Sequence, residues 1–180
     1  MAYKLSMAAN AMRIDTQEYA LMKTNIRFSE INSCVGIIVQ TGKFVSGFHL
    51  VQEGVDDSGL ASAVVFDANA RVKLMNILDH LPVPSVDRVK FIGWWNYWLN
   101  GMPAVDYRNP QGQIVSSYPA QTGNADFIAF EKALVAKGVP VVRDPVHRSD
   151  GRFAAQINAA YPNEITVTTY RCNRYLLEIG

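Results

Sequence analysis

The chain has 180 residues, of which 49% are hydrophobic, so it can bury a sizeable core without disulfide or metal cross-links. Its formal net charge is +1 and its lysines and arginines form no run. This balance argues against a general nucleic-acid or membrane-surface binder, which would show a basic stripe. No apolar stretch approaches the roughly 18–20 residues of a membrane span, so we expect no membrane insertion. With two distant cysteines and no secretory signal, we expect a cytoplasmic protein, or an effector exported without a cleaved signal peptide.

Hydrophobic periodicity and turn residues divide the chain into short elements. In chain order, the predicted elements are an irregular arm or short helix within 1–23, strands over 24–30, 35–39, 44–51 and 61–66, a helix from Asp67 or Asn69 to Leu81, a strand over 88–95, a long loop over 96–113, a helix between Asn124 and Gly138, a strand over 139–142, a turn over 148–152, and one or two closing strands over 165–179. Strands outnumber helices and come in runs. The sequence therefore predicts a single α+β domain over residues 1–180, with an antiparallel or mixed, sandwich-like sheet core flanked by two main helices.

A hairpin at residues 35–51 brings one of the two cysteines close to one of the three histidines. With Thr41 and Gly42 as a two-residue turn, Cys34 lies directly opposite His49. Directly opposite residues in an antiparallel pair have Cβ atoms about 4.5–5.5 Å apart, within reach of a sulfur–imidazole hydrogen bond. The sequence thus predicts a cysteine–histidine pair.

Side-chain alternation places this pair on the less apolar face of the hairpin, while the opposite face is predicted to be core. In the same register Gly36 lies opposite Gly47, beside the pair. Glycines leave room for another chain or a ligand to approach. We therefore expect an open notch, with Gly36, Gly47 and the preceding Asn32 as candidate substrate contacts.

The predicted pair has the chemistry of a nucleophile and its base. An imidazolium lowers the pKa of a neighbouring thiol from its usual value of about 8.5, and the thiolate can attack an amide or ester carbonyl. The amides of Ser33 and Cys34 are candidate donors to the resulting oxyanion. A third group should orient the imidazole of His49, and Ser29, Asn32, Thr24 or a backbone carbonyl are all candidates. The alternative is that neither residue is catalytic: the cysteine only packs in the core and the histidine has a structural role.

These segments resemble a known family. The segment "NSCV" (32–35), followed by "SGFHL" (46–50), is similar to the nucleophile and histidine segments of the chemoreceptor glutamine deamidases of bacterial chemotaxis, whose fold is shared with deamidating toxins of the cytotoxic necrotizing factor type. The later segment "NADFIAFEKALVAKGVPVVRDPVHRSDGR" resembles the family's second helix, its following strand and its Gly-Arg turn. The resemblance covers about residues 25–170.

The resemblance implies hydrolysis of a glutamine side-chain amide of a target protein to glutamate, without a cofactor. Cys34 would be the nucleophile and His49 the general base and acid. Ser29 is the hydroxyl nearest to the position of the family's threonine. The substrate would be a chemoreceptor-like protein or a host protein met by an exported effector. A thiol transglutaminase or an amide or ester hydrolase using the same pair is a close relative.

The aromatic run "GWWNYWLNG" (93–101) supports an alternative function. It follows neither strand nor helix periodicity, so at least one ring should be exposed, and exposed aromatic rings anchor protein partners. Trp95 and Trp98 are the candidate contacts of a non-catalytic protein-binding module. Of the remaining residues, His147 is predicted to lie in a solvated turn and Cys172 to pack in a closing strand. The spacings of cysteine and histidine match no zinc motif.

Overall fold

The computed structural model describes residues 3–54, 64–82, 85–148 and 150–170. The strands are β1 (Ser6–Met7), β2 (Glu18–Lys23), β3 (Asn25–Ile31), β4 (Val35–Thr41), β5 (Phe44–Leu50), β6 (Glu53–Gly54), β7 (Val64–Val65), β8 (Arg88–Gly93), β9 (Val105–Arg108), β10 (Ile114–Tyr118), β11 (Val141–Arg143), β12 (Gly151–Ile157) and β13 (Ile165–Tyr170). The helices are α1 (Ala68–Asp79), α2 (Trp95–Asn100) and α3 (Ala125–Ala136).

Six strands form the main sheet, in the order β1-β2-β5-β4-β8-β11. The pairs β1–β2 and β8–β11 are parallel and the remaining pairs are antiparallel. A second sheet has the order β13-β12-β3 and is antiparallel throughout. The predicted α+β class with a mixed sheet core is confirmed.

Both faces of the main sheet are covered. On one face, side chains of β4, β5 and β8 pack against α1 and α3 in a first core that includes Val35, Phe91, Leu74 and Phe127. On the other face, side chains of the same strands pack against the second sheet in a second core that includes Phe28 and Phe153. Every residue of β4 is therefore buried, rather than every second one.

Both predicted main helices are present and begin where their caps predict. Asp67 accepts a hydrogen bond from the amide of Ala70, and Asn124 accepts one from the amide of Phe127. Gly138, which follows α3, has φ 76°, the left-handed conformation predicted for it.

Three element predictions are wrong or incomplete. Residues 96–113 are not one long loop, since they contain α2, β9 and the turn of a hairpin with β10. The turn predicted at 148–152 runs into β12, which is the central strand of the second sheet. The N-terminal arm contains no helix among its described residues and instead supplies β1 and β2. Residues 61–63 and 171–180, which include Cys172, lie outside the described residues.

Candidate functional site

One edge of the main sheet brings together the ends of three neighbouring strands. Cys34 directly precedes β4, and His49 is the penultimate residue of β5. Val35 pairs with Leu50 on one side and with Gly93, the last residue of β8, on the other. The cysteine and the histidine therefore lie at the same sheet edge.

The predicted register of the β4–β5 hairpin is wrong by two residues. Thr41 pairs with Phe44, so the turn is Gly42–Lys43, and Gly36 rather than Cys34 lies opposite His49. Gly42 has φ 57°, and the favoured two-residue hairpin turns need a positive φ at their first central residue. Placing the glycine first in the turn shifts every cross-strand partner by two positions.

Cys34 and His49 still lie on the same face of the hairpin after this correction, because side chains alternate with a period of two residues. On the observed register, Cys34 lies diagonal to His49 on the same face of the hairpin. Diagonal partners are about 7–8 Å apart between their Cα atoms. The predicted sulfur–imidazole hydrogen bond is not formed, because Nδ1 of His49 faces the carbonyl of Ile14 and Nε2 has no partner among the described residues.

The open notch predicted beside the pair is not present. A Cβ at Gly36 would lie 2.6 Å from Cγ1 of Ile92, and a Cβ at Gly47 would lie 2.6 Å from Cδ1 of Ile26. The space left by the glycines is thus filled by the chain's own isoleucines. Gly36 and Gly47 are packing residues of the second core and not contacts for a ligand.

His49 is fully buried, and its ring has one fixed hydrogen bond. Nδ1 lies 3.1 Å from the carbonyl oxygen of Ile14, and the ring meets Phe28 edge-to-face. A carbonyl only accepts, so Nδ1 carries the proton and Nε2 is the free acceptor. Nε2 is buried and has no hydrogen-bond partner among the described residues. Burial lowers the pKa of His49 below its usual 6.5, so the ring is neutral at pH 7.

The group that orients the ring is a backbone carbonyl, one of the alternatives left open by the sequence. The hydroxyl of Ser29 donates to the same carbonyl oxygen of Ile14 at 3.2 Å. The amide of Ser29 also donates to it, at 3.0 Å. Ser29 therefore holds the Ile14 carbonyl in place, and its observed hydrogen bonds do not go to the imidazole. Asn32 donates from its side chain to Glu30 and is exposed.

Cys34 is 5% exposed, and the predicted lowering of its pKa is wrong for this state of the protein. Burial raises the pKa of Cys34 to about 11, and the negative charge of Asp150 adds to the increase, while a hydrogen bond with the main chain of Asn32 opposes it. The thiol and the imidazole are therefore both neutral at pH 7.

Asp150 occupies one of the two main-chain donors that were predicted to bind an oxyanion, the amide of Ser33. Ser33 has φ 53°, and its amide donates to Oδ1 of Asp150 at 3.2 Å. The indole Nε1 of Trp94 donates to the same oxygen. No sequence pattern indicated Asp150, because it lies 117 positions from Ser33 in a segment that reads as a turn.

The aromatic segment folds as the short helix α2 and is tied to the cysteine loop. The amide of Trp94 donates to the carbonyl of Cys34 at 2.9 Å, and Nε1 of Trp98 donates to the carbonyl of Ser33 at 3.3 Å. Trp98 is 1% exposed, and Trp95 donates from Nε1 to the carbonyl of Asp144. Trp94, Trp95 and Tyr97 are half-buried, so the prediction that at least one ring of this segment is exposed is wrong.

A cleft of about 260 Å³ opens beside Ser33, between α2 and the β9–β10 hairpin. Its apolar wall consists of Trp94, Tyr97, Trp98, Met102, Val105 and Tyr107. Of the two tryptophans proposed as contacts, Trp98 lines this cleft, whereas Trp95 packs against the first core.

His147 is not in a solvated turn. Its side chain is 14% exposed, and Nδ1 lies 3.1 Å from Oδ2 of Asp144, a buried carboxylate that also lies 3.4 Å from Nζ of Lys90. Hydrogen bonds from His147 and Val146 outweigh burial and lower the pKa of Asp144. Within the described ranges, no group of three or more histidine, cysteine, aspartate or glutamate side chains is placed to hold a metal ion.

No protein-family model, curated protein or solved structure matches this chain. No helix among the described residues is long and apolar enough to cross a membrane.

Proposed function

We propose that the protein is a cysteine-dependent amidohydrolase that converts a glutamine side chain of a target protein to glutamate. The observation that carries the proposal is the unpartnered Nε2 of His49, a buried base on the same sheet face as the Cys34 thiol. A buried nitrogen without a partner is costly, so it calls for an explanation, and a catalytic role is one that fits its place on the face of Cys34. The carbonyl of Ile14 fixes the tautomer that makes this nitrogen a proton acceptor.

The neutral pair supports general-base catalysis rather than a preformed ion pair. Nε2 of His49 takes the thiol proton while Sγ of Cys34 attacks the carboxamide carbon of the substrate. The imidazolium then protonates the leaving nitrogen, the C–N bond breaks, and ammonia leaves a thioester on Cys34. His49 next deprotonates a water that attacks the thioester, which releases the glutamate product and restores the thiol. No cofactor takes part in this scheme.

The tetrahedral intermediates of this scheme carry a negative charge that needs donors. The Ser33 amide and the Trp94 indole N–H are two donors at the cysteine loop, and both donate to Asp150. Asp150 is exposed, so its side chain can rotate into water. We propose that the substrate displaces this carboxylate when it binds, which also removes a negative charge that opposes the thiolate.

Ammonia release from N-benzyloxycarbonyl-L-glutaminyl-glycine tests the proposal, because this peptide offers an unhindered glutamine amide. Wild-type protein should release ammonia and yield the glutamate peptide, identified by its mass. Cys34→Ala should abolish release, while His80→Gln, which changes an exposed histidine on α1, should leave it unchanged. Release that persists in Cys34→Ala would overturn the proposal, as would a wild-type protein that is inactive on this peptide and on unfolded proteins rich in glutamine.

The substrate protein is proposed by chemistry alone: it presents a glutamine on an accessible segment, whether in a chemoreceptor-like protein of the same cell or in a host target. A second candidate function is a non-catalytic protein-binding module, favoured by the aromatic cleft beside Ser33 and by the burial of Cys34. For a binding module, Cys34→Ala would leave both the binding of the partner and its biological effect intact.

A further inference from the structure

We infer that the cleft between α2 and the β9–β10 hairpin binds one bulky apolar side chain of the substrate, next to the glutamine that is deamidated. The inference rests on the proposed function, since it assigns a specificity site to the same reaction. The argument comes from the position, the size and the chemistry of the cleft.

The cleft is joined to the cysteine loop by direct contacts. Ser33, which precedes Cys34, is part of its lining. Trp98 forms another part and is hydrogen-bonded to the carbonyl of Ser33. A peptide whose glutamine reaches Cys34 therefore has its neighbouring residues at the mouth of this cleft.

The size of the cleft suits one side chain. About 260 Å³ is less than the roughly 300–1,000 Å³ of pockets that hold a whole ligand, and more than the about 150 Å³ of an apolar cavity that accommodates benzene. An aromatic ring or a branched aliphatic side chain fits this space, whereas a nucleotide or a large cofactor does not.

The wall of the cleft is apolar because its indole N–H groups are committed elsewhere. Nε1 of Trp94 donates to Asp150, and Nε1 of Trp98 donates to the carbonyl of Ser33. The rings of Trp94 and Tyr97 lie 4.4 Å apart between centroids, which forms a continuous aromatic surface. Gln52 and Gln121 also line the cleft and add polar groups to its rim.

Binding to the inactive Cys34→Ala protein tests this site without requiring catalysis. The probes are N-benzyloxycarbonyl-L-glutaminyl-glycine and N-acetyl-L-glutaminyl-glycine, which differ only in the apolar group beside the glutamine. We expect the benzyloxycarbonyl peptide to bind at least about tenfold more tightly, since burial of one aromatic ring is worth that ratio or more. The indole N–H signals of Trp94 and Trp98 should shift in NMR spectra, while that of Trp95, bonded to Asp144, should stay in place.

A matched pair of substitutions on one hairpin locates the effect. Val105→Asp places a charge in the cleft and should remove the tenfold preference. Val115→Asp changes a 63%-exposed residue of β10 outside the cleft lining and should retain it. If Val105→Asp prevents folding, the comparison of the two peptides in the Cys34→Ala protein still tests whether an apolar group beside the glutamine strengthens binding.

Equal binding of the two peptides, or loss of the preference in Val115→Asp as well, would overturn the inference. A retained preference in the Cys34→Ala protein, together with a wild-type protein that releases no ammonia, would instead contradict the proposed function and leave the cleft as a binding site. Ammonia release from both peptides with equal KM and equal affinity would leave the function standing without this site.

Discussion

At the scale of single residues, the site is defined by two groups that burial keeps neutral. The imidazole of His49 has a lowered pKa, and the thiol of Cys34 has a pKa raised to about 11. The hydrogen bond to the carbonyl of Ile14 leaves Nε2 as the acceptor. The thiol is therefore a weak nucleophile in this state, and in the proposed mechanism it reacts only when His49 takes its proton.

The negative charge of Asp150 should raise the pKa of the Cys34 thiol. Asp150→Asn removes the negative charge but keeps an oxygen that can accept from the Ser33 amide and the Trp94 indole. The pKa of Cys34 should fall below its value of about 11, because the thiolate no longer faces a carboxylate. The rate of iodoacetamide labelling at Cys34 as a function of pH, read by peptide mass, measures this change. Asp106→Asn, an exposed carboxylate on β9, serves as the control. An unchanged inflection in Asp150→Asn would show that this charge does not act on the thiol.

At the scale of elements, the β4–β5 hairpin shows what the sequence determines and what it does not. The alternation of apolar residues correctly predicts two strands, with Cys34 and His49 on one face. The register depends on whether Gly42 takes the first or the second turn position, and both choices satisfy the alternation. The observed choice gives Gly42 the positive φ and moves His49 opposite Gly36.

Two glycines of this hairpin, Gly47 and Gly42, should differ in how much stability the protein loses when they are replaced. Gly47→Ala should destabilise the protein by about 1–3 kcal/mol, because the new Cβ would lie 2.6 Å from Ile26 and 3.0 Å from Phe28. Gly42→Asn should cost much less, since nothing lies within 4 Å and asparagine tolerates a positive φ. Urea unfolding of both variants measures the difference. Equal losses, or a stable Gly47→Ala protein, would contradict the packing described for the second core.

The elements that the sequence predicted incorrectly share a physical cause. The helix α2 shows no regular apolar periodicity in the sequence, because its aromatic residues are positioned by contacts with distant segments, such as the hydrogen bond of Trp98 to Ser33. The strand β12 was missed because it directly follows Asp150 and begins with Gly151 and Arg152, which read as a turn, although burial alternates along it from Gly151 onwards. Both elements depend on contacts far along the chain, which local periodicity does not contain.

At the scale of the whole molecule, the second sheet changes the character of the site. The sequence predicted an open face with a notch, whereas β3 and β12 cover that face and bury His49. A sandwich-like core was predicted, but without β12 the sequence could not predict that the second sheet covers the face of Cys34 and His49. Cys34 is 5% exposed and lies at the sheet edge next to Ser33, which bonds Asp150 and lines the aromatic cleft.

Burial of the pair also links the stability of the whole fold to pH. When the chain unfolds, the pKa of His49 returns to about 6.5, so below that pH the unfolded chain takes up a proton that the folded chain resists. Stability should therefore fall as the pH drops below 6.5. Cys34 acts in the opposite direction: from pH 9 to about 11 the unfolded chain loses a proton that the folded chain keeps, so stability falls as the pH rises.

Thermal unfolding between pH 5 and pH 8 measures the fall in stability that His49 should cause at acid pH. His49→Gln should flatten the dependence of Tm on pH, because the buried titrating group is gone, whatever its effect on Tm itself. His80→Gln, an exposed histidine, should leave the slope unchanged. A slope that is the same in wild type and His49→Gln would mean that His49 does not titrate differently in the folded protein.

The central claim is that Cys34 and His49 act as one catalytic unit, and a double-substitution cycle tests it most directly. The measurement is kcat for ammonia release from N-benzyloxycarbonyl-L-glutaminyl-glycine in wild type, Cys34→Ala, His49→Gln and the double variant. Each single substitution should lower kcat by about 10³-fold or more, and the double variant should be no slower than Cys34→Ala alone, because a base without its nucleophile contributes nothing. Activity that survives in Cys34→Ala, or a further large loss when His49→Gln is added to it, would contradict the account.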